Sequence, residues 1–131
     1  MPSLHSARIW LDFGIKEDNT ADLADGDVVI VCVPVPVAGT IKSVKVCCDV
    51  LPTDADLTLE KAVGAANASV LAATCALEDL TANIATSLTL GDANVLHCAA
   101  TDMLRATWTL TDIAATTDGF GCLLEFEPDS W

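Results

Sequence analysis

Apolar and polar residues alternate with a period of two along most of the chain, most clearly in its last quarter. Leu104, Ala106, Trp108 and Leu110 alternate with Arg105, Thr107 and Thr109; Phe120, Cys122, Leu124 and Phe126 alternate with Gly121, Glu125 and Glu127. Successive strand side chains point to opposite sides, so each run describes a strand with one buried face. The intervening segment, Thr111 to Gly119, is rich in Thr and Asp and ends in Asp118-Gly119, a turn signal. The two runs read as a closing β-hairpin.

The rest of the chain follows the same grammar. Arg8 to Phe13 predicts a first strand or an extended arm, and the acidic stretch up to Asp27 a loop. Val28 to Val33 is a continuous β-branched run, which predicts a strand buried on both faces or at a subunit contact. Pro34 and Pro36 lack amide donors and place its end at a sheet edge or bend. From Ile41 to Leu51, Val44, Val46, Cys48 and Val50 oppose Ser43, Lys45, Cys47 and Asp49, a half-exposed strand. Pro52 to Asp56 is a turn. Leu57, Leu59 and Val63 then mark a strand whose apolar face is interrupted by Lys61, and Gly64 to Ser69 another turn. Val70 to Leu80 reads as a short strand or turn in preference to a helix, given its neighbours. Ile84 to Leu90 alternates again, Gly91 to Asn94 turns, and Val95 to Cys98 is a brief strand. About eight strands with frequent turns and little helix predict an all-β chain, a single β-sandwich or jelly-roll-like domain. That domain is expected over 28–131, preceded by an N-terminal arm and acidic loop over 1–27. A length of 131 residues fits one domain with a substantial core.

Charge narrows the partners. With 19 acidic and 6 basic residues the formal charge is −13, so phosphate backbones and anionic membrane surfaces are repelled; neither nucleic acid nor membrane is an expected partner. Such acidity favours solubility and suppresses unwanted association. The longest apolar run, Val28 to Ala38, is too short to span a bilayer and contains two prolines. Met1 to Phe13 carries His5, Arg8 and Asp12 without an uninterrupted apolar core, so synthesis in a reducing cytoplasm is expected. Most of the six cysteines lie inside strand-like apolar runs, where they serve as small hydrophobes and are expected as buried thiols instead of a disulfide framework.

Candidate chemistry is sparse. The loop Asp22 to Asp27 lacks the ligand spacing and terminal Glu of an EF-hand, and Asp54 and Asp56 read as a solvated turn for the same reason. His5 and His97 have no HxxxH or CxxC partner, and Cys47-Cys48 point to opposite faces. No nucleophile elbow or phosphate-binding glycine loop is present. No catalytic, cofactor-binding or metal-binding residue is therefore expected. Trp108 shares its face with three apolar residues and belongs to the core. Trp10 and Trp131, near the chain ends, are candidate anchors for an arm or a neighbouring subunit. Arg105, on the solvent side and the only basic residue after Lys61, joins them as a candidate interface residue.

Several segments together carry a resemblance. Ala38-Gly39-Thr40-Ile41 opens a valine-rich strand and leads to Asp54-Ala55-Asp56-Leu57-Thr58-Leu59. Then come Ala85-Thr86-Ser87-Leu88-Thr89-Leu90, Asp102-Met103-Leu104-Arg105-Ala106-Thr107-Trp108, and a last strand ending in Glu125-Phe126-Glu127-Pro128. Over roughly residues 28 to 128 this succession resembles capsid decoration (cement) proteins of tailed bacteriophages. The resemblance implies a non-enzymatic virion protein, made in the host cytoplasm, that assembles as a homotrimer on the capsid exterior. Its partner would be the major capsid protein, whose capsomers it would bridge. The alternative is a phage fibre module or a carbohydrate- or receptor-binding β-sandwich.

Overall fold

The computed structural model describes residues 8–15, 23–63, 66–113 and 118–130. Among these residues ten strands, paired antiparallel throughout, form two sheets. In chain order they are β1 (Ile9–Asp12), β2 (Asp27–Pro34), β3 (Gly39–Val50), β4 (Asp54–Val63), β5 (Ala66–Ser69), β6 (Cys75–Ala76), β7 (Thr86–Ser87), β8 (His97–Cys98), β9 (Met103–Asp112) and β10 (Asp118–Pro128). Among the described residues a 3-10 turn, Leu77–Asp79, follows β6, and a one-turn helix, α1 (Ala93–Leu96), precedes β8.

Sheet A runs β1-β10-β3, with β7 and β8 sharing the far edge of β3; sheet B runs β2-β9-β4, with β5 and β6 sharing the far edge of β4. Each interrupted edge fills one position, so ten strands occupy the eight places of a β-sandwich. The pairing is nested: β1 lies beside β10, β2 beside β9, β3 beside β7 and β8, and β4 beside β5 and β6.

The period-two pattern sets what the sandwich encloses. Ile41, Val44, Val46 and Cys48 of β3, Leu57 and Leu59 of β4, Leu104 to Leu110 of β9 and Phe120 to Phe126 of β10 turn inward in alternation. The step from Ile41 to Val44 is accommodated by a bulge opposite Glu125 and Phe126, which throws Lys42 outward. Trp108 and Phe120 meet in the middle, ring centroids 5.6 Å apart and planes tilted by 59°. The indole Nε1 donates to the carbonyl of Phe13 at 2.9 Å, so the one polar atom of the largest core side chain is satisfied. Phe13 and Ile15 extend β1 into the same core and donate backbone bonds to Cys122 and Phe120. Lys61 also faces inward and is only 7% exposed; its Nζ donates to the His97 carbonyl at 2.8 Å, tying β4 of sheet B to β8 of sheet A.

Several expectations change. The runs Met103–Asp112 and Asp118–Pro128 are not a hairpin: β9 belongs to sheet B and β10 to sheet A. Both edges of β9 are taken by β2 and β4, and both edges of β10 by β1 and β3, so the two face each other across the core. Alternation dictates which side chains turn inward but not which strand lies across the hydrogen bonds. The Val28 to Val33 strand is not buried on both faces, since Val28 and Ile30 are 55% and 56% exposed. Gly64 to Ser69 is not simply a turn, because Ala66–Ser69 pairs with Glu60–Val63. Val70 to Leu80 contributes β6 and the 3-10 turn, Ile84 to Leu90 only a two-residue strand, and Val95 to Cys98 splits between α1 and β8. Asp92 caps α1 by accepting from the Asn94 amide at 2.9 Å. The Asp25-Gly26-Asp27 turn is present, with Gly26 at φ +86° and the Asp27 carboxylate accepting from Ala24 N at 2.8 Å.

Candidate functional site

With the inward positions filled, the residues able to meet another molecule are those left on the two outer faces. On sheet A, Trp10 of β1, Leu123 of β10 and Cys47 of β3 all point outward, around a groove of about 600 Å³ also bordered by Asp12, Lys45 and Gly121. Trp10 is 50% exposed and Leu123 44%. Gly121 keeps the floor low, since a β-carbon there would stand 2.7 Å from Cys47 Sγ. At the end of this face Glu127 pairs with Arg8 at 2.9 Å and Lys42 at 3.5 Å, and Ser43 Oγ donates to Glu125 at 3.0 Å. The groove thus has an aromatic and aliphatic middle and a charged end. A β-branched or apolar cross-section of this kind is what a ligand ring or a partner side chain can fill.

On sheet B, the outward residues of β2 are Val28, Ile30, Cys32 and Pro34, all exposed. Among the described residues no strand pairs with the far side of β2, so this apolar row lies along an open sheet edge. Open edges commonly carry lysine or inward charge against unwanted pairing, and β2 has only its first residue, Asp27, to serve.

The three candidate interface residues fall in different places. Trp10 stands beside the groove of sheet A. Arg105 lies on the outer face of sheet B, where its Nη2 donates to Glu60 Oε1 at 3.2 Å from the facing strand position. With the Asn67 amide oriented to satisfy both its ends, Nη2 also reaches the Asn67 oxygen at 2.9 Å. Arg105 is thereby committed to its own sheet, and the structure does not bring it near Trp10. Trp131 lies outside the described residues, as do His5 and the acidic stretch 16–22.

Other polar groups gather away from these faces. Asp54, Asp56 and Glu78 present carboxylate oxygens within 4.8 Å of one another. Partial burial, then Glu78, then Asp54 push the Asp56 carboxyl above its ordinary range. Glu78 also accepts from the Ala55 amide at 3.2 Å. Sequence reasoning saw Asp54 and Asp56 but had no signal for Glu78, which arrives on the 3-10 turn. His97 is exposed, its Nε2 2.8 Å from Asp129 Oδ2. All six cysteines are thiols; Cys32 is exposed, Cys47 half-buried and the other four buried. Burial foremost, with nearby Asp12, pushes the Cys122 thiol up to about 12, and burial likewise raises Cys75 and Cys98.

Leu123 was the residue that strand parity should have disclosed. Once Cys122 and Leu124 are inward, the residue between them must point out, but a continuous Cys-Leu-Leu run hides it. Among the described residues no helix is long and apolar enough to cross a membrane. No protein-family model, no curated protein and no solved structure matches the chain.

Proposed function

We propose that the protein is a structural component of a bacteriophage particle, a capsid decoration protein that assembles as a homotrimer and bridges neighbouring units of the major capsid protein. The observation that carries this reading is the presence of two separate outward apolar surfaces on one acidic sandwich: the face around Trp10 and Leu123, and the open edge along Val28, Ile30 and Cys32. A bridging protein needs two contacts that do not overlap, and these lie on opposite sheets. The nested strand order across two sheets also supports a jelly-roll reading, an architecture used by viral capsid domains. The formal charge of −13 keeps free copies dispersed until a partner covers these surfaces.

Cryo-electron microscopy of the virion that carries this chain tests the proposal. Density for the sandwich at threefold positions on the outer shell is expected, and density confined to the tail would overturn it. Light scattering of the purified protein should give the mass of three chains.

One observation favours a second reading. A groove that sets an exposed indole beside a carboxylate and an ammonium group suits a sugar ring, whose apolar face stacks on Trp10 while its hydroxyls meet Asp12 and Lys45. A glycan array separates the two: binding abolished by Trp10→Ala supports the carbohydrate module, and a blank array removes its support.

A further inference from the structure

The outer face of sheet A is electrically unlike the rest of the molecule. On it three exposed or half-exposed cations, Arg8, Lys42 and Lys45, stand against five carboxylates, Asp12, Asp49, Glu125, Glu127 and the Asp129 that meets His97 of β8. These described residues sum to a formal −2 and include three of the chain's six basic residues. Both signs are interspersed. Trp10 of the edge strand β1 and Leu123 of β10 stand half-exposed over the groove, next to Asp12, Lys45 and Glu125, and Arg8 and Lys42 converge on Glu127 at one end. An exposed tryptophan and leucine set among charges of both signs form a surface that a second protein can cover.

We infer that this face is where copies of the chain meet one another, leaving the open β2 edge for the capsid. The inference rests on the assembling role proposed above and names the partner of one of its two surfaces. The electrostatic argument selects the occupant. Two chains each carrying −13 repel wherever their acidic surfaces approach, and contact is less opposed where cations offset part of the local negative charge. A face bearing both signs can also match its own kind: the cations of one copy find carboxylates on the next. Size is adequate. Four strand positions spaced about 4.8 Å, over some seven residues at about 3.4 Å, project roughly 450 Å². Side-chain relief raises the accessible area toward the about 800 Å² per partner that stable contacts bury.

The test compares two sets of variants by light scattering and sedimentation, with circular dichroism to verify folding. Trp10→Glu and Leu123→Glu lie on sheet A; Ile30→Glu lies on the β2 edge. All three residues are half-exposed, so the sandwich should tolerate each change. The expected result is an oligomeric parent protein, association weakened at least about 30-fold by either sheet A change, and an oligomer kept intact by Ile30→Glu. A complementary pair gives a second readout. A chain with Arg8→Glu, Lys42→Glu and Lys45→Glu, and one with Asp12→Lys, Glu125→Lys and Glu127→Lys, should each be monomeric alone and form one-to-one pairs when mixed, because a three-membered ring cannot alternate the two signs. An oligomer that survives the sheet A changes, or that Ile30→Glu dissolves, overturns this inference while leaving the decoration role standing. A parent protein that stays monomeric at tens of micromolar overturns both, as does a monomer that binds a saccharide through Trp10.

Discussion

Trp108 shows how much a single residue can organise. It is fully buried, touches Phe120 of the opposite sheet and donates to the Phe13 carbonyl, so it joins β9, β10 and the extension of β1. Trp108→Ala should cost about 3–5 kcal/mol in urea unfolding at fixed protein concentration. Trp108→Phe retains most of the volume but strands the carbonyl, at about 1–3 kcal/mol. Cys122 makes a pH-dependent prediction. Its folded pKa of about 12 lies above the ordinary 9.0. The unfolded thiol therefore ionises first, and the stability this group contributes is complete below about pH 9 and lost as pH rises toward 12. The slope is about 1.4 kcal/mol per pH unit in that window; Cys122→Val should lack it. In native alkylation read by mass spectrometry, exposed Cys32 should react first, and Cys48, Cys75, Cys98 and Cys122 only after unfolding. Asp56 has the same sign at the acidic end. Its raised pKa means that ionisation at neutral pH opposes folding, and the opposition fades as pH falls toward 3.8. Asp56→Asn should raise the Tm at pH 7 by a few degrees and lose that advantage below pH 4.

At the scale of elements, the decisive contrast is between interrupted and open sheet edges. β5 with β6, and β7 with β8, break two edges into pieces of two to four residues, too short to template another chain. β1 has four residues. β2 alone presents eight, with four exposed apolar or thiol side chains in a row. That row makes β2 the segment from which aggregation should start. Ile30→Lys should leave the circular dichroism spectrum and Tm nearly unchanged while slowing thioflavin-positive aggregation at high concentration. If it does not, the edge is covered in solution. The tie from β4 to β8 is the opposite kind of element contact, inward and polar. Lys61→Met keeps the apolar stem but removes the donor to the His97 carbonyl, and should cost about 1–2 kcal/mol.

For the whole molecule, charge and shape oppose each other. The sandwich is held by a continuous apolar core from Phe13 to Phe126, while a formal −13 resists every association of like copies. Added salt screens that repulsion more than it weakens a largely apolar contact. Oligomerisation should therefore tighten between about 20 and 300 mM NaCl, measured by sedimentation equilibrium. Weakening over that range would mean that ion pairs, and not Trp10 and Leu123, dominate the contact.

The sequence by itself determined the fold class and most of the inward positions. Alternation at Leu104–Leu110, at Val44–Cys48 and at Phe120–Phe126 is a local property, dictated by backbone pleat, and it survives any arrangement of strands. It also marked Lys61 as a break in an apolar face and Trp10 as a residue without a core partner. What it could not contain is which strand lies beside which. β9 and β10 read as a hairpin because two one-faced strands can either pair edge to edge or stack face to face, and both choices bury the same residues. Only competition for β3 and β4, distant in the chain, decides for stacking. The exposed row of β2 has the same origin, since a continuous Val-Val-Ile-Val run looks doubly buried, whereas among the described residues no second layer covers the outer face of sheet B. The mixed-charge patch around Trp10 is likewise a tertiary product. Arg8, Lys42 and Glu127 are scattered along the chain, and only the antiparallel register of β1, β10 and β3 collects them onto one face.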